Sequence, residues 1–289
     1  KLREEAKTRL EESRIDAGVN SFLQQELTDI NDRDSDKVNQ YMEQIERALQ
    51  DKIEAVDRLL FGGSVAKHTY VDGLSDIDSL VLLKDGSLPN KSPGDVRDEF
   101  REALHRQLPQ GNIQSVRSGN MAVTIEYRDG TKIQLLPAIQ IGNEIAISSG
   151  DGRSWVQIRP REFAQALTES NRRQGGMVVP TIKLAKAMLT ARLGDKCPSG
   201  YHVESLAVKS FRDYTGSRTP KAMLTRLFAH SADEVLQPIR DVTGQSRHLD
   251  DDLGPFNSPA RRELSRAFGE IAKIMSQNRN VSDWQGLLE

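Results

Sequence analysis

The chain has 289 residues, roughly twice the usual domain size, which sets a prior of two domains or one large one. A hydrophobic fraction of 37% is enough for a core and excludes a disordered chain. With 40 basic and 42 acidic residues the formal charge is −2, which speaks against bulk DNA or RNA as the main partner.

The single cysteine, Cys197, excludes a disulfide framework and any multi-cysteine zinc site. No apolar run is long enough to span a bilayer. The opening Lys1-Leu2-Arg3-Glu4-Glu5 is charged and has no signal-peptide core. The expectation is a soluble protein of the reducing cytoplasm, with no membrane partner.

Residues 1–60 are expected to be mostly helical. Leu10, Ile15, Val19, Phe22 and Leu23, then Tyr41, Ile45, Leu49 and Ile53, recur at helical spacing. A polar interruption at 31–36 separates two helices, with Ser35 or Asp36 as cap of the second. A strand is predicted at 56–61, ending in Gly62-Gly63-Ser64, and a buried strand at 77–83. A helix follows at 96–108, then strands at 121–127, 131–138 and 144–148. Arg128-Asp129-Gly130 reads as a three-residue hairpin loop with Gly130 in the left-handed position. That loop pairs Tyr127 with Thr131, Glu126 with Lys132, Ile125 with Ile133, Thr124 with Gln134 and Val123 with Leu135.

Beyond about residue 161 the pattern is helical, with segments at 161–170, 178–193, 201–214, 219–230 and 258–277. The expectation is an α/β domain at 1–158, carrying the N-terminal helices, and an α-helical domain at 159–289.

Residues 62–78 carry the chemistry: Gly62-Gly63-Ser64-Val65-Ala66-Lys67-His68-Thr69-Tyr70-Val71-Asp72-Gly73-Leu74-Ser75-Asp76-Ile77-Asp78. Adjacent glycines ahead of a helix let the backbone approach a phosphate, and the N–H groups of the helix start attract its charge. Ser64 adds a hydroxyl donor. Asp76 and Asp78 open a strand at i and i+2, so the pattern points both to one face. Two carboxylates that close repel unless a divalent cation sits between them, and Mg²⁺ (or Mn²⁺) with a triphosphate is the natural occupant. Gly-Gly-Ser alone is usually a turn, and Asp-x-Asp alone a solvated strand end. The combination at this spacing is far more specific.

The stretch resembles the DNA polymerase β-type nucleotidyltransferase superfamily. It looks most like the branch of oligoadenylate synthetases, cyclic GMP-AMP synthase and their bacterial relatives, the CD-NTases of anti-phage (CBASS) signalling. Ile133 to Ala138 resembles the family's third catalytic strand, and the helix around Lys186 its lysine-bearing spine. Tyr201-His202-Val203-Glu204-Ser205-Leu206 resembles part of its helical domain.

The resemblance implies an α/β polymerase β-like core and a C-terminal helical domain, with the active-site cleft between them. It implies transfer of a nucleotide to an acceptor hydroxyl with loss of pyrophosphate, aided by two metal ions. Gly63 and Ser64 would hold the triphosphate, Asp76 and Asp78 the metals. Lys186 would contact the triphosphate and Tyr201 would stack on a base, against the plainer roles of a charged helix flank and a core tyrosine. NTPs would be the substrates, a cyclic di- or oligonucleotide the product, and a downstream effector its reader. The alternatives are a template-independent RNA nucleotidyltransferase of the CCA-adding kind and a nucleotide-binding pseudoenzyme.

The pattern breaks at Gln134, where the family has a third carboxylate. An amide is a weaker ligand for a hard cation and cannot neutralise its charge. Three explanations stay open: a site working with two acids, a substitution that inactivates the site, or a natural pseudoenzyme. Glu126 could substitute, although a cross-strand ion pair with Lys132 is the commoner role for such a residue. Lys183 is a lesser candidate. Asp250-Asp251-Asp252 reads as a solvated loop or cap sooner than a cation site.

Overall fold

A computed structural model describes residues 1–31, 35–61, 77–84, 91–141, 144–149, 152–158, 160–240, 250, 253–277 and 280–289. The chain divides into two compact units. One joins Lys1–Asp32 to Glu162–Glu289, and the other is Arg33–Arg161. Helix α1 (Leu2–Asn31) therefore belongs with the C-terminal helices, whereas the sequence assigns it to the α/β domain. The cause is tertiary. Val19 and Leu23 are fully buried in the helical core, and Asp16 and Asn31 bind Lys221 and Lys183 of that unit.

The second unit begins with α2 (Ser35–Gln50), β1 (Val56–Phe61) and β2 (Ile77–Leu83). It continues with α3 (Pro93–Gln107), β3 (Ile113–Ser118), β4 (Val123–Tyr127), β5 (Lys132–Ile141), β6 (Glu144–Ser148) and β7 (Trp155–Ile158). The sheet runs β1-β2-β5-β4-β3, with β6 bridging β5 to β7. Only the β2–β5 pairing among these is parallel. Strands β3 and β7 escape sequence reading because each is short, with weak alternation.

Helix α3 starts three residues before its apolar pattern does. Ser92 Oγ accepts the Asp95 N–H at 3.2 Å, the Asp95 carboxylate accepts the Ser92 N–H at 3.1 Å, and Pro93 takes the first turn. The β4–β5 hairpin has the predicted register, from Glu126↔Lys132 to Val123↔Leu135. Gly130 has φ +88°, and its N–H donates to the Tyr127 carbonyl at 3.0 Å.

Alternation gives the sheet two different faces. Val81, Leu83, Val123, Ile125, Ile133 and Leu135 are buried against Met42, Ile45 and Leu49 of α2 and Val96, Phe100 and Leu104 of α3. Each such side chain contributes about 1.5–3 kcal/mol when fully buried. The other face carries Ser115, Arg117, Thr124, Glu126, Lys132 and Gln134, and then a small apolar patch of Leu82, Ala138 and Ile145.

Strand β5 changes partners along one edge, pairing with β4 over residues 132–135 and with β6 over 138–141. Pro137 falls in the gap, where the missing N–H removes no ladder bond.

The helical unit adds α4 (Pro160–Arg173), α5 (Val178–Leu193), α6 (Gly200–Ser210), α7 (Pro220–Glu234), α8 (Pro259–Ser276) and α9 (Val281–Gln285) to α1. Helix α5 is buried on all sides from Thr181 to Leu189, Lys183 and Lys186 included, which corrects the reading of these lysines as a charged, solvated flank. Helix α6 ends at Ser210, four residues short of the sequence expectation. The Gln174 amide donates to the carbonyls of Phe211 (3.2 Å) and Tyr214 (3.0 Å) beyond its end. Among the described residues no helix is long and apolar enough to cross a membrane.

Candidate functional site

Gly63, Ser64 and Asp76, read from the sequence as the core of a phosphate and metal motif, lie outside the described residues, as do Asp251 and Asp252. Asp78 is placed by its backbone. In the parallel pairing of β2 with β5 it stands across from Gln134, and Gln134 stands across from Thr124 of β4. Thr124 in turn pairs with Arg117 of β3. Positions 78, 134, 124 and 117 thus form one row across the sheet. Gln134 is half-buried on the polar face.

One rung away lie Lys132, Glu126 and Ser115. Glu126 Oε2 accepts from Arg117 Nη2 at 2.6 Å and from Ser115 Oγ at 3.3 Å, and Oε1 lies 3.7 Å from Lys132 Nζ. The ion pair expected with Lys132 is present, but Arg117 is the nearer cation. The sequence could not show this, because β3 was not recognised. Glu126 is committed to two cations on its own face.

In the helical unit, Lys186 of α5 and Glu204 of α6 form an ion pair at 2.9 Å, with side chains 6% and 1% exposed. Gly200, the first residue of α6, makes the approach feasible. A Cβ there would meet Lys186 Nζ at 3.0 Å and Cε at 3.2 Å. Tyr201 follows directly, half-buried, its ring 4.5 Å from that of Phe163 on α4 and tilted by 58°. Lys186, Gly200, Tyr201 and Glu204 are therefore gathered where α5 meets the start of α6. Gly200 and Glu204 were not singled out as site residues from the sequence. A single acid within the largely apolar stretch 203–208 was the available signal.

Other acids and lysines have structural partners. Lys183 is buried and donates to Asn31 Oδ1. Asp250 is 1% exposed and accepts from Arg261 Nη1 at 2.6 Å and from the Ile239 N–H at 3.2 Å. It is therefore a core carboxylate neutralised by an arginine, which corrects the solvated-loop reading of that position.

Residues 15–171 match the family model described as the Second Messenger Oligonucleotide or Dinucleotide Synthetase domain. The cyclic AMP-AMP-AMP synthase of Escherichia coli (strain MS 115-1) is 27% identical over 116 residues, 37% of this chain and 36% of that protein. The match thus spans little more than a third of the relative's length.

Among solved structures, the CD-NTase CdnG of Bradyrhizobium diazoefficiens in complex with GTP superposes with TM-score 0.66 at 16% identity, covering 88% of each chain. Escherichia coli MS115-1 CdnC with ATP gives 0.64 at 15%, covering 92% of each. Vibrio cholerae DncV, a cyclic AMP-GMP synthase, gives 0.61 at 14%, covering 95% of this chain and 83% of that one. At these identities the likeness establishes the fold, a polymerase β-like core with a helical domain.

Proposed function

The chain belongs to the family of Second Messenger Oligonucleotide or Dinucleotide Synthetase domains, the CD-NTases, and from that premise we propose that it is a nucleotidyltransferase. It binds nucleoside triphosphates with Mg²⁺ or Mn²⁺ and joins them into a cyclic di- or oligonucleotide signal of anti-phage defence. The reaction runs in the cytoplasm, and its product is read by a separate effector. The observation that carries this reading is the parallel register of β2 on β5, which sets position 78 of the Asp76-x-Asp78 pair directly beside position 134. The GTP and ATP complexes of CdnG and CdnC support NTPs as substrates.

On this reading, the backbone at Gly63 and the hydroxyl of Ser64 hold the triphosphate, whose charge the Lys186 ammonium also meets. Tyr201 stacks on a base. Asp76 and Asp78 would hold the cation, since two hard carboxylate ligands suit Mg²⁺ where the Gln134 amide does not. When bound, the cation stabilises charge on the phosphoryl oxygens. The protein orients an acceptor hydroxyl toward the α-phosphate, and pyrophosphate leaves.

Gln134 favours a second reading, a nucleotide-binding protein impaired in turnover. Incubating the protein with labelled NTPs and Mg²⁺ or Mn²⁺, without nucleic acid, separates the two. Phosphatase-resistant products support cyclisation, and binding without product supports the impaired protein. Incorporation that requires added tRNA would overturn both in favour of an RNA-modifying enzyme.

A further inference from the structure

On the polar face of the sheet, two cations share one acid. Arg117 Nη2 lies 2.6 Å and Lys132 Nζ 3.7 Å from the Glu126 carboxylate, so the trio keeps one net positive charge. Arg117 is braced from two sides, since its Nε also donates to Ser115 Oγ at 3.2 Å, yet its side chain is 68% exposed. These contacts take two of the five donors of a guanidinium. The cations also stand on or beside the row that begins at position 78. Asp78, Gln134, Thr124 and Arg117 are successive partners across β2, β5, β4 and β3, and Lys132 lies one rung away. Three strand spacings of about 4.8 Å put the backbone at 117 about 14 Å from that at 78. An arginine side chain and a nucleoside triphosphate together span such a distance.

Joining two nucleotides requires a second NTP whose hydroxyl attacks the first, and the phosphates of that second NTP need a cationic seat of their own. We propose that Arg117 and Lys132 bind the 5′-phosphates of this acceptor nucleotide, so that the chain selects an acceptor carrying a triphosphate over a monophosphate. The inference rests on the reading of the chain as a nucleotidyltransferase and adds a subsite for its second substrate. The planar fork of Arg117 matches phosphate geometry, and Lys132 supplies a point charge beside it. Glu126 and Ser115 fix the guanidinium before a ligand arrives, which removes part of the cost of ordering a long side chain.

The test is calorimetric titration with Mg²⁺ and the α,β-methylene analogues of ATP and GTP, beside the thermal midpoint. The wild-type protein should bind two analogues per chain. Arg117→Gln/Lys132→Gln should weaken one of the two sites about tenfold or more, the loss expected for charge-assisted contacts, and leave the other unchanged. AMP and GMP should bind the wild type and the double variant alike at that site. Arg106→Gln, an exposed cation of α3 on the other side of the sheet, controls for net charge and should change neither site.

Two unchanged sites in the double variant would overturn the subsite and leave the nucleotide reading standing. So would a single site in the wild type, or an equal loss at both sites, which is the mark of a general field. An effect of Arg106→Gln as large as that of the double variant would overturn it as well. If the wild-type protein binds neither analogue, the nucleotide reading itself fails. Should the double variant not fold, Arg117→Gln alone decides: one weakened site supports the subsite, and two unchanged sites refute it.

Discussion

Gln134 of β5 stands directly across from Asp78 of β2, in a parallel register that runs unbroken from Ile77↔Ile133 to Leu83↔Ile139. An amide therefore stands at the strand position beside Asp78, where the proposed reading would call for a third carboxylate. It is close to isosteric with glutamate and one methylene longer than aspartate.

Gln134→Asp should raise product formation from NTPs by about a hundredfold or more, on the scale of regaining one electrostatic stabiliser of a transition state. Affinity for Mg²⁺–NTP should change far less. Equal rates for the two proteins would show that the neutral position does not limit turnover.

Glu126 is the alternative acid read from the sequence, and the structure commits it to Arg117 and Lys132. Both cations are about half exposed or more, so the pairs are worth little, in the range of about 0–1 kcal/mol. Glu126→Gln should shift stability by no more than that and leave turnover unchanged. A hundredfold loss of activity at an unchanged thermal midpoint would instead make Glu126 the third acid of the site.

Arg261 is fully buried and binds five acceptors. These are Asp250 Oδ2 (2.6 Å) and the carbonyls of Gly254 (2.8 Å), Gln237 (3.0 Å), Val235 (3.1 Å) and Asp250 (3.1 Å). Arg261→Ala leaves a buried carboxylate and four carbonyls without it, and should destabilise the protein by about 3–5 kcal/mol in urea unfolding. Arg261→Lys should recover only part, because an ammonium lacks the planar fork that these acceptors fit. A midpoint unchanged by Arg261→Ala would refute the account.

Asp129 gives a pH signature. Burial pushes its carboxyl upward, but hydrogen bonds from Lys37, Tyr41 and Thr131 outweigh this and hold it well below the usual carboxylate range. The unfolded chain, with an ordinary value of about 3.9, therefore binds this proton first as pH falls. The contribution to stability is complete near neutrality and is lost as pH drops below about 4 toward the folded-state value. The gap in unfolding free energy between wild type and Asp129→Asn should be constant from about pH 7 to 5 and shrink below about 4. A gap that ignores pH would show that the hydrogen bonds do not favour the ionised form.

Much of this was legible from short-range pattern. The alternation on either side of Arg128-Asp129-Gly130 specifies the β4–β5 register, because a slip of one residue would turn Ile125, Ile133 and Leu135 out of the core. The Gly-Gly-Ser and Asp-x-Asp elements point to phosphate and metal chemistry through residue types at close spacing, and Gly63, Ser64 and Asp76 lie outside the described residues. Strand β3, Ile-Gln-Ser-Val-Arg-Ser, was not legible, because an edge strand with two apolar residues in six has no strong period. Missing β3 also hid Arg117 as the nearer partner of Glu126.

Amphipathic spacing makes α1 a helix but does not say which core its apolar stripe enters. Val19 and Leu23 join the C-terminal helices, and that choice was made by packing against residues some 150–200 positions later. Likewise, Lys186 reads locally as a charged flank of α5. Only the crossing of α5 and α6 brings it to Glu204, with Gly200 leaving the room. Local order and reactive chemistry are carried by neighbouring residues and survive in the one-dimensional pattern. The neighbour that buries a stripe or neutralises a charge is selected by long-range complementarity, which exists only once the chain has folded.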